Sequence, residues 1–481
     1  MNADIEAIYP LSPMQEGILF HTLASVEPGM YFVQKSWPAL GQLDPLALRE
    51  AWRWAIDRHP ILRTSFAWKN RERPLQIVHG RVALPWTEKD WRGISETRRR
   101  EQMEELLRED RESPFDFARP PLMRFILVRT ADDAYEFVWS HHHILLDGWS
   151  AFLALNDVFA AYEGFSQGRE PESTGTRPFR DYIAWLGRQD PLRAEAFWKN
   201  HLRGFAGPMG LPIGKSIKEK SDGREKPEGS ADGLKEVRLS SGRTKALKAF
   251  ASRNRVTLSV LLQGAWALLL SHLCKRQDVV FGVVVSGRPA DLEGVESMVG
   301  LFINTLPLRV MAPPAAPIVE WLKEVQARQL DIRQFEYTPL YDVQRYCNLP
   351  GDSPLFETIV VFENYPGVGR SRHNSDKRGS LAGRAYVRNN YPITIRSLPG
   401  AELPAQILYD ARRFDEGAIE TLLGHLESVW QCFIDSPACV VSDVLTMLAC
   451  RDAEQKARKE KQVEQASLGK FKSARRKAIG P

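Results

Sequence analysis

The sequence predicts an α/β protein built as two lobes. Three observations carry this. At 481 residues the chain exceeds what one hydrophobic core usually supports. Segments with a helical hydrophobic period alternate with segments rich in β-branched and aromatic residues. Hydrophobic residues make up 43% of the chain and aromatic residues 10%, enough to fill packed cores. The expected organisation is a first lobe over residues 1–176, a second over 177–450 and a basic tail over 451–481. The shared texture of the two lobes allows a pseudo-duplicated architecture.

The elements follow in chain order. Asp44 is a natural N-cap and Pro45 fits the first helical position, so a helix is expected from Pro45 to Arg58. Leu48, Trp52 and Ile56 form its apolar face, and His59-Pro60 ends it. Ser95 to Arg111 reads as a charged helix whose TRRR run is a solvated face. Leu122 to Thr130 and Ala134 to Ser140 are strands joined at Asp132-Asp133. Trp149 to Tyr162 has helical spacing. In the second lobe Thr257 to Leu273 is a buried helix, Val279 to Val285 a wholly apolar strand, and Phe302 to Val310 and Ile359 to Glu363 further strands. Ile419 to Phe433 is the last helix of that lobe. Lys215 to Asp232 is nearly devoid of apolar residues and reads as a mobile surface loop. Arg370 to Arg384 is a second long polar excursion.

Composition excludes several classes. The tail carries ten Lys/Arg against four Asp/Glu, a net +6, so the other 450 residues sum to −1 within the whole-chain +5. The folded part therefore offers no basic nucleic-acid face. The tail is expected to be disordered, or to dock an acidic partner. The longest apolar run, Thr257 to Leu270, is too short and too interrupted to span a bilayer, so no membrane is expected. The N-terminus lacks the pattern of a signal peptide. The five cysteines form no C-x-x-C pair and fit a reducing cytosol, which predicts a cytoplasmic protein.

The candidate site is His141 to Ser150, HHHILLDGWS. It is expected in the connection from the strand before it to the helix after it, where a rigid scaffold presents side chains to a ligand. An imidazole titrating near neutrality suits proton transfer there. Adjacent strand residues point to opposite faces, so His141, His142 and His143 are not expected to converge on a metal ion.

An ordered series of seven motifs now resembles a known family. YPLSPMQEGILFH (Tyr9 to His21), RHPILRTSF (Arg58 to Phe66), the H-H-x-x-x-D-G of HHHILLDGWS, and RDYIAWL (Arg180 to Leu186) come first. VGLFINTLPLR (Val299 to Arg309), QFEYTPL and SPLFETIVVFENYP follow. Together, over residues 5 to 450, they resemble the condensation domains of nonribosomal peptide synthetases, in the chloramphenicol-acetyltransferase-like superfamily. The D-F-G-W-G segment of that superfamily's plant acyltransferases is absent. The resemblance implies two αβ lobes arranged as a V, with a tunnel between them and the histidine motif at its middle. Ser286 to Pro289 would floor the tunnel, and Arg370 to Arg384 would form a latch between lobes.

The implied reaction joins a carrier-bound acyl or peptidyl thioester to an amine, itself usually carrier-bound, to form an amide. No cofactor is bound; the substrates ride on phosphopantetheine arms of donor and acceptor peptidyl carrier proteins. These are expected to act in trans on a monomer, because no adenylation or carrier segment accompanies the domain. The opening motif and LLDGWS lean toward the subtype that accepts a D-configured donor. Two alternatives are a terminal or stand-alone enzyme releasing the chain onto a free amine or alcohol, and a non-catalytic module of the same fold that recruits carriers.

By match to the motif, His143 is the central imidazole, either as general base or as a group that positions the amine. Asp147 is expected to be structural, paired with Arg63 or Arg288. Gly148 allows close backbone approach, and its N–H could face the oxyanion. His142 is expected to be a packed, hydrogen-bonded neighbour. Asn304 is a candidate polar tunnel residue, and Trp149 is expected in the core rather than against substrate. No metal ligand is expected.

Overall fold

Two open sheets, one for each half of the chain, carry the fold. The computed structural model describes residues 4–25, 28–40, 43–172, 175–205, 207, 210–214, 232–347, 354–364 and 384–478. The loop expected at Lys215 to Asp232 and the latch expected at Arg370 to Arg384 lie almost wholly outside the described residues.

The first half contains β1 (Ile5–Pro10), α1 (Pro13–Ala24), β2 (Phe32–Leu40), α2 (Pro45–Arg58), β3 (Thr64–Ala67), β4 (Leu75–His79) and β5 (Trp86–Asp90). It continues with α3 (Glu96–Glu112), β6 (Met123–Ala131), β7 (Ala134–His142) and α4 (Gly148–Ser166). The second half contains α5 (Arg180–Leu186), α6 (Pro191–His201), β8 (Asp232–Leu239), α7 (Ser241–Asn254), α8 (Leu258–Cys274), β9 (Asp278–Val285) and β10 (Asn304–Met311). It closes with α9 (Ile318–Arg333), α10 (Leu340–Tyr346), β11 (Thr358–Phe362), β12 (Arg384–Val387), β13 (Ile393–Ser397), β14 (Leu403–Asp410), α11 (Glu416–Asp435) and α12 (Val441–Ala478).

Local chemistry explains the boundaries that position the site. Asp44 caps α2 by accepting from Leu46 and Ala47 N–H. Asp132 and Asp133 turn the antiparallel β6–β7 hairpin. Its inward face meets α2, where the Trp52 ring lies 4.8 Å from that of Trp139 and 4.5 Å from that of Phe125. In the second half, α8 is buried from Val260 to His272 without a break, and β9 is apolar because sheet neighbours flank it and its faces are covered. No single helix among the described residues is long and apolar enough to cross a membrane.

The sheets are ordered β12-β2-β7-β6-β5 and β10-β9-β11-β13-β14-β8, with a small β1-β4-β3 sheet beside them. Two segments of the second half cross to the first. β12 adds to the first sheet as an edge strand against β2. The connection from β9 to β10 places Leu292, Val295, Met298, Leu301 and Phe302 in the first core. Core membership therefore does not change at residue 177. Phe179, just before α5, and Tyr182 and Trp185 of α5 also join the first core, where Phe179 and Tyr182 pack on Phe302 at 5.1 and 4.7 Å.

The segment read from sequence as a disordered or docking tail continues α12 as helix to Ala478. At the base of this extension Asp452 accepts from His272 Nε2 at 2.6 Å and lies 3.3 Å from His425 Nε2, which holds the helix to α8 and α11.

Candidate active site

β7 runs two residues further than its aromatic stretch implies. Pairing with β2 extends to Phe32 opposite His142. His141 and His142 are therefore strand residues, and only His143 stands in the connection. The three rings diverge. His141 lies beside Trp139 at 4.8 Å, on the side of α2. His142 points the other way, edge-on to Phe117 at 4.8 Å and Phe115 at 6.3 Å. No group of three His, Cys, Asp or Glu side chains among the described residues is placed to hold a metal ion.

His142 is bonded at both ring nitrogens. Ile144 N–H donates to Nδ1 at 3.2 Å, and Nε2 lies 3.4 Å from Thr22 Oγ1. Burial pushes its pKa down to about 3, so the ring is neutral.

His143 differs. Its backbone N–H donates to Tyr31 O at 2.8 Å, and the following Ile144, Leu145 and Leu146 are fully buried and pin the turn. The His143 ring is only partly covered, while its Nδ1 is enclosed without a hydrogen-bond partner. Burial lowers its pKa from the ordinary histidine value, and the Asp147 carboxylate opposes this. The result is a neutral imidazole next to the N-terminus of α4.

Asp147 is a structural hub. One carboxylate oxygen caps α4 by accepting from Ser150 N–H at 2.7 Å; the other accepts from Phe302 N–H at 2.9 Å. Its backbone N–H reaches Gly300 O at 3.3 Å. Arg288 Nη2 lies 3.7 Å from Asp147 Oδ1 and 2.8 Å from Ser150 Oγ, and Arg288 also donates to the carbonyls of Val295 and Met298. Arg288 is thus the partner of Asp147. Arg63 is not: it pairs with Glu6 at 2.9 Å and donates to the carbonyls of Ile56, Asp57 and His79. The first turn of α4 and the crossing segment are joined through these bonds.

Gly148 is the first residue of α4, where N–H groups lack intrahelical acceptors. Trp149 is not in the core. Its ring lies at the margin of the crossing segment, donating Nε1–H to Glu296 O at 3.1 Å, with the Arg288 guanidinium 5.0 Å from the ring centre. Asn304 spends both amide hydrogens on the Glu336 and Thr338 carbonyls, at 2.8 and 2.7 Å, and accepts from Thr305 N–H. Its donors brace two segments and are not free for a ligand.

A cleft of about 1070 Å³ opens beside β12, lined among others by Met30, Arg111, Tyr386, Asn390, Tyr391 and Arg396. Met30 precedes the Tyr31 whose carbonyl holds His143. Sequence reasoning missed Tyr31, Ser150 and Asn390. Ser150 was legible, since a Ser three residues after a capping Asp sits at the cap; Tyr31 and Asn390 meet only through the fold.

The family model named Condensation domain matches residues 5–456. A linear gramicidin synthase of Brevibacillus parabrevis is 42% identical over 441 residues, covering 92% of this chain and 6% of the relative. Gramicidin S synthase 2 of Brevibacillus brevis is 34% identical over 444 residues, covering 92% and 10%. The chain thus spans 6% and 10% of the length of these two relatives. In fold, it matches the first condensation domain of the calcium-dependent antibiotic synthetase in complex with substrate analogue 2a. The TM-score is 0.73 at 16% identity, covering 91% of this chain and 99% of that one. The chain therefore shares the chloramphenicol-acetyltransferase-like fold of condensation domains. With the H-H-x-x-x-D-G turn built as described and the family matched over nearly its whole length, this chain belongs to the condensation domains of nonribosomal peptide synthetases, which form peptide bonds.

Proposed function

We propose that this domain joins a carrier-bound acyl or peptidyl thioester to the amine of a second, carrier-bound substrate, with His143 at the reacting atoms. The observation that carries this reading is the contrast among three adjacent histidines. Two are buried and their strand is fixed; the third is partly open, neutral and set on a braced turn.

The chemistry is undemanding in proton terms. A thioester is an activated acyl donor, and an α-amine with a pKa of about 7.7–8.0 is partly neutral at cellular pH. The amine nitrogen attacks the thioester carbon, the C–N bond forms, and the C–S bond breaks. The proton lost by nitrogen ends on the departing thiolate. His143 accepts that proton in transit, and the Gly148 N–H at the start of α4 faces the oxyanion. Holding two tethered reactants together supplies much of the remaining acceleration. Asp147, Arg288 and Ser150 position the turn. The substrates are carried on phosphopantetheine arms, and the partners are donor and acceptor carrier proteins.

Acyl-loaded donor carrier is mixed with aminoacyl-loaded acceptor carrier, or with a free amine, and intact-protein mass is followed. Growth of the acceptor carrier by the acyl mass is expected. Transfer only to the free amine favours a releasing enzyme; no transfer to either overturns the catalytic reading in favour of a recruiting module.

A further inference from the structure

Tyr31, in the turn before β2, touches both halves of the chain. Its backbone is left-handed, with φ of +57°, a conformation that a bulky side chain rarely adopts and that surrounding bonds must hold. Its carbonyl accepts from His143 N–H at 2.8 Å. Its ring is 6% exposed, and its hydroxyl donates to Asn390 Oδ1 at 2.8 Å. Asn390 belongs to the loop that follows β12, so it comes from the second half, and its Nδ2 stands 3.5 Å from His21 Nε2 at the end of α1. The same loop grips the turn twice more, through Arg388 N–H to Phe32 O at 3.3 Å and Arg388 Nη1 to Pro28 O at 3.1 Å. Met30 and Asn390 both line the cleft beside β12.

We infer that Tyr31 is a positioning residue for His143 and that Asn390 holds it in place, so that the crossing loop of the second half sets the height of the reacting imidazole. A shift of the loop that carries Asn390 reaches His143 most directly through the Tyr31–Asn390 side-chain bond and the Tyr31–His143 backbone bond, while Arg388 holds the same turn from beside it. The sequence places these residues 359 positions apart, and only the insertion of β12 into the first sheet brings them together. The strain at Tyr31 gives the contact its sense: without the hydroxyl bond, the side chain no longer anchors the turn against relaxation, and the Tyr31 carbonyl turns with it.

This inference rests on the amide-forming reading for its rate readout but not for its structural one. Tyr31→Phe removes only the hydroxyl, and Asn390→Ala removes its acceptor. Each is expected to lower the single-turnover rate by about five- to tenfold, the size of one hydrogen bond, with the KM for each loaded carrier unchanged. The double variant should lose no more than the worse single. Hydrogen exchange at the His143 amide should quicken in both variants. Asn390→Asp keeps the accepting oxygen and is expected to exchange like the parent. Unchanged exchange at His143 in both single variants, losses that multiply in the double, or an Asn390→Asp as fast as Asn390→Ala would each overturn the inference. If the parent forms no amide at all, the exchange measurements still decide the coupling, and only the functional reading falls.

Discussion

Arg288 Nη2 stands 3.7 Å from Asp147 Oδ1, with both side chains buried, and the two residues come from opposite halves of the chain. A buried pair of this kind does little for stability compared with apolar residues of equal volume, but it is costly to break from one side. Here the carboxylate also serves two backbone N–H groups.

Asp147→Ala should therefore be strongly destabilising. It leaves the guanidinium without its counter-charge and strips Ser150 and Phe302 N–H of their acceptor. Losses of this type run to roughly 3–5 kcal/mol. The remaining bonds from Arg288 to Ser150 and to two carbonyls soften the loss. The urea midpoint should drop sharply, and Asp147→Ala combined with Arg288→Met should recover part of it. A midpoint equal to that of the parent would refute the structural role of Asp147.

His143→Ala should retain the fold and lose most of the amide-forming rate. The pH profile gives a sharper check. Burial lowers the His143 pKa from the ordinary histidine value, so the ring gives up its proton at a lower pH than a free imidazole does. As pH falls, protonation of the acceptor α-amine, with a pKa of about 7.7–8.0, slows parent and variant alike; in the parent a second limb, from His143, should appear only below pH 6.5. The residual rate of His143→Ala should lack that limb. A limb centred above pH 6.5 that His143→Ala removes would mean that the ring is held charged, and the base role would fail.

Much of this was legible in the sequence, for a definite reason. α2 announces itself through Asp44, Pro45 and an apolar face, and HHHILLDGWS carries its own helix cap in Asp147. These are local signals. The partner of Asp147 was not local: Arg63 and Arg288 both looked eligible, and the choice depends on where the β9–β10 connection crosses. Trp149 looked apolar enough for the core, yet it packs at the edge of that same crossing segment. Asn304 looked polar enough for a tunnel, yet neighbouring carbonyls take its donors. In each case the deciding contact spans more than thirty residues, a distance at which hydrophobic period and propensity carry no information.

His142 gives the domain an acid limit. Its folded pKa is about 3, against 6.5 for the free side chain, and burial is the main cause. Between those values the unfolded chain binds a proton that the folded chain refuses. Stability should thus fall as pH drops through this window, by roughly 1.4 kcal/mol per unit, and be unaffected above pH 6.5. His142→Asn should make the acid limb of the denaturation midpoint shallower by one proton's share, whatever it costs at pH 7, while buried His141, whose pKa is also pushed well down, keeps its own share. Equal slopes in parent and variant would show that other groups set the limit.

Gly287 tests whether the crossing segment truly anchors the site. It adopts φ of +61°, and a Cβ built there would come within 1.7 Å of Phe302 O. Phe302 in turn offers its N–H to Asp147. Gly287→Ala must therefore displace the backbone of Phe302, because a carbonyl cannot rotate away as a flexible side chain would. The displaced Phe302 can no longer satisfy Asp147, and its ring leaves the aromatic cluster with Phe179 and Tyr182. The expected loss exceeds the ~1 kcal/mol ordinarily paid for a β-carbon at positive φ. Gly242→Ala makes the comparison. Gly242 lies in the first turn of α7 with nothing within 4 Å of its would-be Cβ. Its replacement should be neutral or stabilising by roughly 0.5–1 kcal/mol. Denaturation midpoints that are alike for the two variants would show that the Gly287 turn yields more easily than its geometry implies, and that Asp147 is not held from the second half of the chain.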